Sequence, residues 1–307
     1  MKLKNTLVIA VSSRALFDLS ESHQVFIEKS LTEFEKYQKE NEHVVLKKGH
    51  AFNFIEKLLK LNNETSKLTN DLYEAVEIIL ISQNSVSTGR QIINSIKHYG
   101  LGITRFVFTC GDSPAIYLTN DDINLNLYLA HEKKYVEEAL DLGIPAATIM
   151  SAGKHSEKNE IRFGFDGDAV IFSDESESIY QNEGLDRFHQ NETELKDTPL
   201  NDGPLKPLYL AIGELRDHYP HIVKIGLITA RGGLGIDRVL NSFDHWNLTP
   251  DHACFLGGVD KGYFLKSFHA DIFFDDHMKH CIDASEHVAT CHVPNGINAP
   301  TSALNQK

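Results

Sequence analysis

Apolar positions form two kinds of run along this chain. Leu7–Val11, Val76–Ile81, Ile161–Phe165 and Ile225–Ile228 are short, nearly continuous and rich in β-branched or aromatic residues. That is the pattern of strands buried on both faces. Between them, apolar residues recur at helical spacing over Val25–Tyr37, Phe52–Leu61, Gly89–His98 and Gly235–Asp244. Strands alternating with helices predict an α/β protein with a doubly wound parallel sheet.

The pattern also repeats. Shifting the chain by 154 residues places the first strand on the third, with Ser22 on Ser176, Leu31 on Leu185, Phe34 on Phe188, Leu46 on Leu200 and Gly49 on Gly203. Shifting by 147 places residues 76–129 on 223–276 without a gap, and 11 of those 54 positions are identical. They include Asn94 on Asn241, Ser95 on Ser242, His98 on His245 and Gly111 on Gly258. Any two βα units share apolar residues, but polar and glycine matches in a fixed register point to duplication. The polar stretch 151–160 is the expected linker, giving domains 1–155 and 156–290. Residues 291–307 lack periodicity and are expected to form an irregular tail.

Composition narrows the partners. The chain has 307 residues, enough for about two domains, and a net charge of -13. Polynucleotide binders neutralise phosphates with Lys and Arg, so a nucleic-acid polymer is not expected. A small phosphorylated ligand needs only a local positive site. Cys110, Cys254, Cys281 and Cys291 form no C-x-x-C pair, which leaves reduced thiols as the expectation. No apolar run approaches a membrane span, and the N-terminal run is too short for a signal-peptide core. A cytoplasmic protein is expected.

The chemistry gathers at strand ends in the second half, where open α/β sheets bind ligands. Asp166-Gly-Asp168 follows the third strand, and two carboxylates so spaced can divide attack or metal binding from proton transfer. Thr229-Ala230-Arg231 closes the fourth strand, where a hydroxyl and backbone N–H groups suit phosphate oxygens. Lys261 could neutralise phosphoryl charge. Asp275-Asp276 ends a later apolar run and offers the oxygen ligands that Mg²⁺ prefers. Taken singly, each has an ordinary reading: an acidic loop, a helix cap, a solvated lysine, an acidic turn. His277 and His280 are expected on a solvated helix face. Arg231-Gly-Gly-Leu-Gly235 lacks the G-K-[ST] of a P-loop.

The order D-x-D, Thr, Lys, D-D over residues 161–280 resembles the four-motif signature of the haloacid dehalogenase (HAD) phosphohydrolases. A closer resemblance, to the cytosolic 5'-nucleotidase I family, spans almost the whole chain. It rests on Phe165-Asp-Gly-Asp-Ala-Val-Ile-Phe-Ser-Asp-Glu-Ser-Glu177, residues 12–23, Asn94-Ser-Ile-Lys-His-Tyr-Gly-Leu101 and Leu256-Gly-Gly258. The Gly-Gly-Leu-Gly after Arg231 departs from the Ser-Ala-Pro-like residues of animal members.

The resemblance implies a HAD-like catalytic domain with a cap at about 173–220. It implies that Asp166 attacks the phosphorus of a nucleoside 5'-monophosphate and that Asp168 acts as acid and then base. Mg²⁺ would sit on Asp166, the Asp168 carbonyl and the Asp275/Asp276 pair, Asp275 being favoured as the direct ligand. Thr229 and Lys261 would hold phosphoryl oxygens, aided by Ala230 and Arg231.

In the aligned first half, Ser12 stands at Asp166, Arg14 at Asp168, Ser82 at Thr229, Pro114 at Lys261, Tyr128 at Asp275 and Leu129 at Asp276. The first domain is therefore expected to be a degenerate HAD-like copy, kept for substrate or nucleotide-effector binding through Ser12, Ser13, Arg14, Asn84, Ser85 and Arg90. The competing readings are a phosphatase of sugar phosphates or other small metabolites, and a nucleotide sensor without turnover. Superfamily members often assemble as homo-oligomers, but nothing in the sequence sets a symmetry.

Overall fold

The structure, a computed structural model, describes residues 6–69, 74–120, 122–153 and 160–297. The chain divides into two compact units, Met1–Ile144 and Pro145–Lys307. In chain order the first unit runs β1 (Leu7–Ser12), α1 (Ser13–Leu16), β2 (Phe17–Asp18), α2 (Ser20–Glu28), α3 (Leu31–Glu40), β3 (Lys47–Lys48) and α4 (Phe52–Thr69). It continues with β4 (Val76–Ser82), α5 (Arg90–His98), β5 (Arg105–Phe108), α6 (Ala115–Leu118), β6 (Leu127–Ala130) and α7 (Lys133–Asp141). The second unit runs β7 (Ala146–Ser151), β8 (Ile161–Phe165), α8 (Glu175–Glu183), α9 (Leu185–Glu194), α10 (Lys206–His218), β9 (Val223–Thr229) and α11 (Ile236–Trp246). It ends with β10 (His252–Phe255), α12 (Gly262–Phe268), β11 (Ile272–Asp275), α13 (Met278–Ser285) and β12 (Thr290–His292).

The first unit holds a parallel sheet in the order β6-β1-β4-β5. Every residue of β1 and β4 is buried, as their unbroken apolar runs require. In the second unit β11-β8-β9-β10 follow the same order, again parallel. There β12 adds parallel to β11, and β7 pairs antiparallel with β12. The sheet strands are legible because neighbours on both faces are apolar. Phe165 and Phe274 stack with centroids 5.2 Å apart, each immediately before an aspartate. Tyr209 of α10 meets Phe165 edge-on and also packs on Phe243 and Trp246. Burying each such ring contributes about 1.5–3 kcal/mol.

The two units repeat their internal hydrogen bonds. Leu46 N–H donates to Ser95 Oγ at 3.0 Å, and Leu200 N–H to Ser242 Oγ at 2.8 Å. Those serines donate to the Gln91 and Arg238 carbonyls, both at 2.8 Å. Asn94 Nδ2 donates to the Glu42 carbonyl at 2.8 Å, and Asn241 Nδ2 to that of Lys196 at 2.6 Å. Donors and acceptors correspond at the offsets 147 and 154.

Strand pairing corrects one stretch of that alignment. Leu127 lies beside Ile9 and Ile272 beside Phe163. Val8 N–H donates to Asn126 Oδ1, and Arg162 N–H to Asp271 Oδ2. The offset there is 145, so Asp275 and Asp276 stand where the first unit has Ala130 and His131, not Tyr128 and Leu129. The first unit has two more residues between its Pro114 helix and the next strand, which a gapless shift cannot register.

Three other expectations differ. The helix expected over Val25–Tyr37 is two helices, because Ser30 and Glu33 close a capping box that starts α3 afresh. Within the expected cap segment, α10 is a core helix with Leu208, Tyr209 and Ile212 fully buried, leaving α8 and α9 as the outlying pair. Residues 290–292, at the start of the expected tail, form β12. Residues 154–159 of the linker and 298–307 of the tail lie outside the described residues. Among the described residues no helix is long and apolar enough to cross a membrane, and all four cysteines are free.

Candidate active site

Parallel pairing aligns the carboxyl ends of β9, β8 and β11, and so brings Thr229, Asp166 and Asp275 together. The Asp166 N–H donates to the Phe274 carbonyl at 2.8 Å, and its Oδ1 accepts from Gly167 N–H at 2.7 Å. A Cβ on Gly167 would stand 3.3 Å from Thr229 Oγ1, so the hydroxyl lies against the D-x-D turn.

Lys261, just before α12, is 3 % exposed and completes the centre. Its Nζ lies 2.7 Å from Asp166 Oδ2 and 2.6 Å from Asp275 Oδ2. The other Asp275 oxygen accepts from His277 N–H at 2.8 Å, with His280 Nδ1 at 3.4 Å. Burial pushes the Asp166 carboxyl up to about 6, and the neighbouring carboxylates add to the shift against the pull of Lys261. Burial acts on Asp275 in the same sense, but Lys261 and His280 outweigh it and hold that carboxyl below its usual value. Burial opposes the Lys261 charge too, yet the two carboxylates keep its ammonium protonated beyond the ordinary range.

Two carboxylates therefore share one ammonium, which leaves the centre one positive charge short. A divalent cation fits that deficit. Ligand atoms of Asp166, Asp275 and His280 lie within 4.8 Å of one another, and the hard carboxylate oxygens are the donors Mg²⁺ prefers. His280, expected on a solvated face, instead turns toward Asp275. Asp276 is buried but outside that group, and its carbonyl faces the His292 ring at 2.9 Å.

Asp168 is held differently. Arg231 grips it with two hydrogen bonds of 2.6 Å and also bonds Glu192 at 2.7 Å. Glu192, fully buried on α9, is bonded by Arg238 at 3.3 Å and by Ser176 Oγ of α8 at 2.8 Å. Arg238 reaches on to Glu175 at 2.6 Å. Burial works against the Arg231 charge, and Asp168 with Glu192 more than restores it. Phe188 of α9 lies under the Arg231 guanidinium, 5.8 Å from its centroid. A chain of buried charge thus joins α8 and α9 to the D-x-D turn. The Ala230 carbonyl accepts from Gly258 N–H at 3.0 Å.

Glu192, Arg238 and Glu175 were not expected from the sequence. They lie tens of residues from their partners, and an acidic or basic residue on an amphipathic helix reads as solvated.

The residues singled out in the first unit meet elsewhere. Ser12, Ser13, Arg14, Asn84 and Ser85 line one cavity of about 620 Å³, whereas Arg90 is not part of its lining. Ser13 and Ser82 share a hydrogen bond of 2.9 Å, and Arg14 pairs with Glu132 at 2.8 Å.

Comparison with known proteins identifies the family. The sequence model of a family described as 5'-nucleotidase matches residues 1–300. Human cytosolic 5'-nucleotidase 1B is 37 % identical over 291 residues, covering 91 % of this chain and 47 % of the human protein. The chain thus spans about half the length of that curated relative. No solved structure matches it.

Proposed function

The chain belongs to the 5'-nucleotidase family, and on that basis we propose that it releases phosphate from nucleoside 5'-monophosphates at the buried centre of its second unit. The observation that carries this reading is Lys261 held between Asp166 and Asp275 at 2.7 and 2.6 Å. A buried ammonium bridging two carboxylates suits a phosphate dianion that must meet a carboxylate nucleophile.

In this reading Asp166 forms a bond to phosphorus while the bond to the 5'-oxygen breaks. Asp168 gives the leaving oxygen its proton, then takes one from the water that cleaves the aspartyl-phosphate and frees Asp166. Arg231 holds both Asp168 oxygens, so in this reading the guanidinium must release one of them before Asp168 carries a proton to the leaving oxygen. Lys261 and the Thr229 hydroxyl hold phosphoryl oxygens, with the Ala230-Arg231 backbone beside them. Mg²⁺ would be held by Asp166, Asp275 and the Asp168 carbonyl, with Asp276 supporting its neighbour. When bound, it supplies positive charge that lets nucleophile and phosphate approach.

The HAD-like fold is part of the same proposal, as are the divisions 1–155 and 156–290 and a cap within 173–220. The hydrogen bonds repeated at offsets 147 and 154 support a duplicated fold. The outlying position of α8 and α9, tied to Asp168 through Glu192, supports their role as cap. The human relative's name describes a cytosolic protein, and the same compartment is proposed here.

The test is phosphate release from nucleoside 5'-monophosphates and sugar phosphates, with Mg²⁺ or EDTA, by wild type and Asp166→Asn. Release from nucleotides that needs Mg²⁺ and is lost in the variant is expected. Release from sugar phosphates alone would keep the mechanism and reject the substrate. Nucleotide binding without turnover would reject the enzyme.

A further inference from the structure

The cavity of the first unit lies outside the chemistry of the second, yet it occupies the corresponding place. It opens at the carboxyl ends of β1, β4 and β6, where the strand order reverses and α/β sheets bind ligands. Its volume of about 620 Å³ is within the range of small-molecule sites.

Its wall is the α2–α3 pair, the counterpart of α8–α9. Phe34, at the position of Phe188, meets Phe26 edge-on at 5.2 Å. Phe26 remains 53 % exposed, an apolar face available to a flat ring. Its floor is a chain of hydroxyls and an amide. Asn84 Nδ2 donates to Thr88 Oγ1 at 3.2 Å and Ser85 Oγ lies 3.1 Å from Thr88 Oγ1, while Ser82, outside the lining, donates from behind to Asn84 Oδ1 at 3.0 Å.

Most charged side chains of the second unit have neutral counterparts here, the exceptions being Arg14 at the position of Asp168 and Glu21 at that of Glu175. Asn84 stands for Arg231, Gln91 for Arg238, and Gln38 for Glu192. Gln38 still donates to Ser22, at the position where Ser176 meets Glu192. Ser12 replaces Asp166, Pro114 replaces Lys261 and Ala130 replaces Asp275. Four charged groups still line the cavity: Arg14 and Glu132, which pair with each other, together with Lys134 and Glu35. They sum to zero. Burial and Arg14 lower the His23 pKa, so this ring adds no charge at neutral pH.

A site with an aromatic wall, a polar floor and room for a small molecule, but no surplus charge and no metal carboxylates, selects against phosphate. We propose that the first-unit cavity is a second ligand site and takes an uncharged nucleoside rather than a nucleotide. The ring stacks against Phe26 and Phe34, and the sugar hydroxyls meet Ser85, Asn84 and Thr88. Only the choice of nucleosides as probes rests on the activity proposed for the second unit.

The test is calorimetric titration of the full chain in EDTA with adenosine, thymidine and their 5'-monophosphates. The proteins are wild type, Lys261→Met, Phe34→Ala and Asn84→Leu. At least one nucleoside should bind wild type and Lys261→Met alike, and bind about tenfold or more weaker to each first-unit variant. The matching monophosphate should compete for that site about tenfold less well. Hydrogen exchange on wild type gives a readout that needs no variant: the nucleoside should slow exchange at residues 12–14 and 83–88.

The proposal falls if no nucleoside binds, if binding is lost in Lys261→Met and kept in the first-unit variants, or if the monophosphate binds the cavity as tightly. Phosphate release is a separate measurement. Release without nucleoside binding would remove this inference alone, and nucleoside binding without release would remove only the catalytic reading.

Discussion

The two units share a scaffold and differ in charge. Ser95 and Ser242 each accept from a loop N–H and donate within their own helix, and both sheets follow one strand order. Where the second unit buries Arg231, Glu192 and Arg238, the first buries or half-buries Asn84, Gln38 and Gln91. The backbone hydrogen bonds fix where strand ends and outlying helices stand. The side chains at those ends decide whether the space handles phosphate.

The comparison breaks most visibly at the proposed catalytic centre. Lys261→Met should lower kcat by roughly 10²–10³-fold, because it removes the charge that the proposed mechanism sets against the phosphoryl oxygens. A loss below tenfold in phosphate-release assays would argue that Lys261 serves folding alone.

Next comes stability. Glu192→Leu leaves the Arg231 and Arg238 charges buried without their shared partner and should cost about 3–5 kcal/mol. Gln38→Leu, at the matching position, leaves only a neutral Ser22 and should cost about 1–3 kcal/mol. Denaturant unfolding of both variants gives the ratio, and equal losses would refute the charge-based contrast.

The pH dependence sharpens the contrast further. Asp166, pushed up to about 6 by burial, is protonated below that pH, so a cation must displace a proton to bind. Mg²⁺ affinity should be level above pH 6 and fall about tenfold per pH unit below it. Calorimetry in two buffers should detect the released proton, and Asp166→Asn should flatten the profile. The smallest effect is expected at Ser30→Ala, which opens the α3 capping box and should cost about 1 kcal/mol in thermal unfolding. Its counterpart α9 starts at Gly184 with no side-chain cap.

The sequence made the four strands around Asp166, Thr229, Ser12 and Ser82 legible, since burial on both faces leaves an unbroken apolar run. The order of Asp166, Thr229, Lys261 and Asp275 was legible for a related reason: three lie at or just after a strand end, and Lys261 opens the helix that follows one. The break in the Val25–Tyr37 helix had a local signal, Ser30-x-x-Glu33, that apolar spacing overrode. The register of Asp275 was hidden, because apolar strands match at several offsets and only Asn126 and Asp271 pin the right one. The Arg231–Glu192–Arg238 chain had no local signal at all, since its contacts come from how α9 and α11 pack.

The amides of the first unit have an evolutionary consequence. In the second unit almost any single replacement within the buried chain strands a charge, so intermediates between one specificity and another are unstable. In the first unit Gln38, Asn84 and Gln91 can change one at a time without leaving an ion uncompensated. The unit lined by neutral side chains is therefore the one free to acquire new ligands by single steps, while the unit built on buried charge is held to its arrangement.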